Sequence, residues 1–180
     1  MRLIAVLLLA LAQPALAAGK FTLKSADLKP GGTLPEKSVF NGFGCSGGNE
    51  SPQLSWTNPP PGTKSFVVTV YDPDAPTGSG WWHWVVYNVP ANVHQLPHGA
   101  GGGTGLPEGA VQAKTDFGSP GYGGACPPPG KPHRYIFTVH ALKVEKLDVP
   151  ADASAAFIGF MTHASQLGAA KLTVTYGRSK

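Results

Sequence analysis

Asp72, His83, His133 and Tyr135 are the side chains whose types and spacing suit chemistry. Residues two apart share a face of a β-strand. Over Ser65–Asp72, Phe66, Val68 and Val70 share a face with Asp72, so a carboxylate closes an otherwise apolar row. In the next apolar run His83 shares a face with Val85 and Tyr87, and in a third His133 and Tyr135 share theirs with Phe137 and Val139. Each polar group borders a loop rich in proline and glycine, where sheet proteins commonly set binding groups on a rigid base. If the four converge, the Asp orients one imidazole and favours its charged form. The second imidazole, the Tyr hydroxyl and N–H groups of the 123–126 loop then face an anion such as a phosphate monoester or sulfate. Separate hydrogen-bonded strand ends are the alternative that spacing alone leaves open.

The elements that must position these groups are short. Strand character, alternating or continuously β-branched and aromatic, marks 21–28, 53–56, 65–72, 81–89, 134–142 and 172–176. Glycine and proline concentrate between them, in loops over 29–48, 58–62, 96–109 and 118–132, and the glycine cluster 99–105 reads as a loop tip. A single helix is expected over 152–167, with Ala155, Ile158, Met161 and Leu167 recurring at near-helical spacing beside Phe157. Asp152 or Ser154 caps it and Gly168 ends it. The fold class is mostly β, an antiparallel sandwich or barrel with long loops. Arg134 shares its face with Ile136 and Thr138, opposite Tyr135, which assigns it to an ion pair with an acidic loop residue. Asp74 either shapes a turn or joins the pocket.

The first residues read as a secretory leader. Met1-Arg2 precedes an apolar run from Leu3 to Leu11, and Ala15-Leu16-Ala17 supplies a small-residue cleavage site. A membrane span needs about 20 apolar residues, so cleavage after Ala17 is expected, leaving a single domain over 18–180 with no integral membrane segment. The destination is the periplasm or the cell exterior. Cys45 and Cys126 are the two cysteines; an even count in an oxidising compartment makes a disulfide the natural pairing, with two buried free thiols as the alternative. The formal charge of +4 comes from scattered basic residues rather than a run, which gives no support to a nucleic-acid partner.

Longer motifs carry a resemblance. Asp72-Pro73-Asp74-Ala75-Pro76, Trp81-Trp82-His83-Trp84 leading to Tyr87-Asn88-Val89-Pro90, and Pro127-Pro128-Pro129-Gly130-Lys131-Pro132-His133-Arg134-Tyr135 together resemble the signature of the phosphatidylethanolamine-binding protein family, as does Ser51-Pro52-Gln53-Leu54-Ser55-Trp56. With Gly42-Phe43-Gly44-Cys45-Ser46-Gly47-Gly48-Asn49 and Gly123-Gly124-Ala125-Cys126-Pro127, the chain is similar to the bacterial Raf kinase inhibitor-like branch, in particular its exported, YbcL-type members. The resemblance implies a two-sheet antiparallel β-sandwich whose pocket takes phosphate-like anions or phosphorylated head groups, without metal or cofactor. By motif, Asp72, His83, His133 and Tyr135 fall on the family's pocket residues, Pro76 and Trp81 on its walls, and the anion-donating amide lies around Ala125 and Cys126. No counterpart of the eukaryotic members' C-terminal tail helix is expected.

Three other functions compete. Gly44-Cys45-Ser46-Gly47-Gly48 satisfies G-x-S-x-G, but a nucleophile elbow requires a strand before the serine and a helix after it, and a loop follows Ser46. Neither glycine cluster completes a dinucleotide or P-loop motif. Two histidines and an aspartate are enough ligands for iron or zinc, which spacing neither favours nor excludes. A kinase or protease inhibitor would act through an exposed loop such as 99–109. The reading carried forward is an exported, non-enzymatic binding protein with a small anion pocket, the alternative being a protein-interaction module.

Overall fold

The computed structural model describes residues 19–179; the expected leader lies outside the described residues. Ten strands and one helix follow in order: β1 (Thr22–Lys24), β2 (Asn41–Gly42), β3 (Cys45–Ser46), β4 (Leu54–Thr57), β5 (Ser65–Asp72), β6 (Trp81–Pro90), β7 (Gln95–Leu96), β8 (Val111–Gln112), β9 (His133–Leu142), α1 (Ala155–Ser165) and β10 (Gln166–Tyr176). A five-stranded antiparallel sheet in the order β10-β9-β5-β6-β8 faces a three-stranded sheet, β1-β4-β7, and β2-β3 form a separate hairpin.

The main core fills the space between the two larger sheets. Phe66, Val68 and Val70 of β5, Trp84 and Val86 of β6, and Phe137 and Val139 of β9 meet Leu54 and Trp56 of β4 and Leu96 of β7. The opposite face of the five-stranded sheet is also covered: Val67, Val85, Tyr87 and Leu142 pack with Ala155 and Ile158 of α1. With both faces covered, β5 is buried from Ser65 to Val70 instead of alternating with solvent.

The phase expected for β5 and β9 holds, whereas that of β6 does not. Trp82 pairs with Tyr71 and Trp84 with Val70, so His83 is an extra residue in a β-bulge. The bulge turns His83 toward the same side as Trp84 and Val86, while Trp82, Val85 and Tyr87 belong to the other face. The expectation that His83 shares a face with Val85 and Tyr87 is corrected accordingly. A second slip near Asn88, which is left-handed at φ 58°, restores pairing toward Val89.

Of the two caps expected for the helix the structure has one, while its end and the 99–105 loop are corrected. Ser154 caps α1, its hydroxyl accepting from the Phe157 N–H at 3.2 Å. The helix ends at Ser165, not at Gly168, which lies in β10 beside a bulge, and Leu167 is an exposed strand residue. The 99–105 cluster is not simply a tip: Ala100 and Gly101 are buried, and the Gly101 N–H donates to Ser51 Oγ at 2.8 Å. A Cβ on Gly101 would stand 2.3 Å from Tyr122 Cβ, so that close approach requires glycine.

Candidate anion site

The ends of β5, β6 and β9 bring Asp72, Trp81, His83, His133 and Tyr135 around one cavity of about 160 Å³. Asp72 is buried at the end of the apolar row. Its Oδ1 accepts the Asp74 N–H at 2.8 Å, and its Oδ2 lies 2.8 Å from His133 Nδ1. The carboxylate therefore fixes both the turn that leaves β5 and the His133 ring. A tight approach follows at the start of β6: Gly80, at φ +71°, leaves room for the Tyr71 hydroxyl, which a Cβ would meet at 2.2 Å.

His83 is held differently. Its Nδ1 lies 2.7 Å from the Gly123 carbonyl, and its own carbonyl accepts the Gly123 N–H at 2.9 Å. Because a carbonyl only accepts, Nδ1 carries the proton, and in the neutral ring Nε2 is an acceptor. Burial pushes the ring's proton affinity down, and the Gly123 carbonyl and the charge of Asp72 offset part of that effect. The ring meets Tyr135 edge-on at 5.1 Å and Phe117 at 5.4 Å. Tyr135 is buried, its hydroxyl has no hydrogen-bond partner, and burial, then the nearby Asp72 charge, pushes its ionisation well above the ordinary tyrosine range.

The remaining walls are Pro76 with Ala75 and Thr77, Phe43, Phe117, and Cys126 with Pro127 and Pro128. Cys126 is joined to Cys45 by a disulfide with Cα atoms 6.0 Å apart, which ties the β2-β3 hairpin carrying Phe43 to the proline wall. Phe43, Phe117 and Phe40 form an aromatic group at the mouth, with Phe43 exposed and left-handed at φ 54°. Arg178, beyond the last strand, braces this mouth: Nε donates to the Pro127 carbonyl at 2.7 Å and Nη1 to the Gly44 carbonyl at 3.2 Å.

Some expected residues fall elsewhere. Ala125 does not line the cavity; its side chain is in the main core and its carbonyl accepts the Phe40 N–H. The Gly124 amide donates to Asn49 Oδ1 at 2.7 Å and the Gly123 amide to His83, so neither is free for a ligand. Asp74 joins the ion pair expected for Arg134, accepting from its guanidinium at 2.7 and 2.8 Å and from its backbone N–H at 2.9 Å. Arg134 holds the Asp74 carboxyl far below the usual carboxylate range.

Phe43, Phe117 and Arg178 were not singled out from the sequence. Phe43 had a signal, standing between two glycines just before Cys45, whereas Arg178 had none. Ser46 is exposed in a two-residue strand that no helix follows, so no nucleophile elbow forms there. Among the described residues no group of three His, Cys, Asp or Glu side chains is gathered as a metal site. No described helix is long and apolar enough to cross a membrane.

Comparison with known proteins gives consistent matches. The phosphatidylethanolamine-binding protein family profile matches residues 24–177. The chain is 56% identical to Escherichia coli YbhB over 155 residues, 86% of this chain and 98% of that protein. It is 56% identical to Escherichia coli YbcL over 162 residues, 88% of each chain. The crystal structure of YbcL, described as a new member of the mammalian family, superposes with a TM-score of 0.86, covering 88% of this chain and 99% of that one. A Chlamydia trachomatis homologue superposes at 0.73 with 31% identity, covering 88% and 98%. The profile match and these relatives show that the chain belongs to the phosphatidylethanolamine-binding protein family.

Proposed function

We propose that this protein binds a phosphate-like anion or a small phosphorylated head group in the cavity bounded by Asp72, His83, His133 and Tyr135, and that it does so outside the cytoplasm. The observation that carries the reading is the buried Tyr135 hydroxyl, which has no partner and lies in the same cavity wall as both imidazoles. A buried hydroxyl left unpaired costs about 1–3 kcal/mol, a cost that an anion oxygen would remove. The family's description as phosphatidylethanolamine-binding supports a phosphorylated head group. The cavity's 160 Å³ suits such a group and a short substituent, without room for acyl chains. Export is supported by the small-residue cleavage pattern at Ala15-Leu16-Ala17 together with the Cys45–Cys126 disulfide.

The tautomer of His83 constrains the ligand. With Nδ1–H committed to Gly123, a neutral ring offers Nε2 only as an acceptor. The anion therefore arrives carrying a proton, as a phosphate monoester does below its second ionisation near about 6, or the ring takes one up as the anion binds. Both routes make affinity rise as pH falls through the histidine range. Calorimetric titration of residues 18–180 with phosphate and with phosphoethanolamine tests this. Wild type should bind with net proton uptake, and His83→Ala should lose about tenfold or more in affinity, the scale of one charge-assisted hydrogen bond. Equal binding by the variant, or no binding by wild type, overturns the assignment.

A further inference from the structure

On the opposite face of the same sheet, a groove of about 390 Å³ runs between the strands and α1. Thr69, Tyr71, Trp82 and His140 line it from the sheet, and Gly159 and Thr162 line it from the helix. Because of the bulge at His83, Trp82 points into this groove while Trp81 points into the anion cavity.

Two features mark the groove as a site rather than a packing fault. Thr162 is only 2% exposed, yet its hydroxyl has no partner. Helical threonines commonly bond back to a carbonyl one turn earlier, and this one does not. Gly159 stands inside the helix, where glycine is among the poorest residues for stability. A Cβ there would make ordinary contact with the edge of the Trp82 ring at 3.7 Å, so glycine leaves a methyl-sized gap beside the indole that a longer side chain would overfill.

The polar groups define a neutral ligand. His140 Nδ1 lies 2.6 Å from Gln166 Oε1, and Nε2 lies 3.3 Å from Thr69 Oγ1, so both ring nitrogens are engaged. Burial disfavours the charged ring, the Gln166 hydrogen bond offsets part of that effect, and the nearby Lys171 and His163 add to it. The Gln166 amide group is thereby held in place; His163 also lines the groove, and no carboxylate, lysine or arginine does. Tyr71 and Trp82, with ring centroids 4.6 Å apart, supply an aromatic surface. An apolar ring face beside neutral donors and acceptors matches a molecule with C–H groups on one side and hydroxyls on its edge.

We propose that this groove is a second binding site, for a saccharide ring stacked on Trp82 with its hydroxyls directed to Thr162 and Gln166. It is independent of the anion cavity and does not rest on that reading. The test is a ¹H–¹⁵N titration of residues 18–180 with methyl glucoside, methyl galactoside and N-acetylglucosamine. At least one sugar should give saturable shifts at the Trp82 indole and the Gly159 and Thr162 amides. Gly159→Leu, which overfills the gap, should abolish them, and Thr162→Val should weaken affinity about fivefold, the scale of one lost hydrogen bond. Unchanged resonances from the core between the sheets show that both variants are folded. Absence of saturable shifts with all three sugars, or wild-type affinity in Gly159→Leu, overturns the proposal.

Discussion

Tyr135 is the residue at which stability and binding are expected to part. Tyr135→Phe removes a hydroxyl that makes no hydrogen bond while keeping a ring packed between His83 and the core. The variant should be as stable as wild type or up to about 1 kcal/mol more stable in urea denaturation, and should bind phosphate more weakly. A loss of stability would mean that the hydroxyl is satisfied in the folded protein and that the argument for a ligand oxygen there is wrong. Asp72 differs, because its two oxygens are already occupied by the Asp74 amide and by His133. In the proposed site it positions His133 rather than meeting the anion directly.

Among the elements, the mouth of the cavity depends on segments far apart in the chain. Arg178 bonds the Gly44 carbonyl of the β2-β3 turn and the Pro127 carbonyl of the proline wall, drawing both against the end of β10. Arg178→Ala should lower anion affinity several-fold, because the walls bearing Phe43 and Pro127 lose a shared brace, while thermal unfolding shifts little. Arg178→Lys should not restore it, since a single ammonium does not reproduce the two-pronged geometry of a guanidinium. Phosphate titration of both variants checks this, and wild-type affinity in Arg178→Ala would show that the brace is dispensable. The Arg134–Asp74 pair is more exposed, with the guanidinium 56% accessible, and solvent screening leaves such a pair little effect on stability.

At the scale of the whole molecule, two predictions concern stability. The Cys45–Cys126 bridge spans 81 residues, and on the chain-entropy model such a closure contributes about 4 to 5 kcal/mol. Replacing both cysteines with serine should cost that much in urea denaturation and should also loosen the cavity mouth; unchanged stability would contradict the model. The second prediction is acid sensitivity. His83 is buried and His140 half-buried, and desolvation lowers both below the ordinary value of 6.5. The unfolded chain then binds protons that the folded protein refuses, so their stabilising effect is complete above 6.5 and is lost as pH falls from 6.5 toward the folded values. His98 has the opposite sign: hydrogen bonds to Asp27 and then Glu50 raise it, so its contribution is present below 6.5 and is lost as pH rises through its folded value. Its side chain is 38% accessible, so that effect is small. Denaturation should therefore become easier from about pH 7 to pH 5, and His140→Gln should flatten the profile. A flat wild-type profile would show that these rings do not resist protonation.

The sequence by itself determined the β-rich class and the phases of β5 and β9 that carry Asp72, His133 and Tyr135 to one end of a sheet, and it favoured a disulfide that the structure then closed. These properties follow from local alternation and residue chemistry, which a linear pattern records directly. The sequence did not reveal the bulge that aims His83, the strand that begins at Gln166 immediately after α1, the amides of Gly123 and Gly124 that are already bonded, or the brace from Arg178. A bulge is defined by the register of one strand against another, and a hydrogen bond between Arg178 and Gly44 by how the chain returns on itself. Tertiary pairing decided that Trp84 and Val86, rather than Val85 and Tyr87, continue the face of His83, because a single extra residue in β6 exchanges the faces of the sheet.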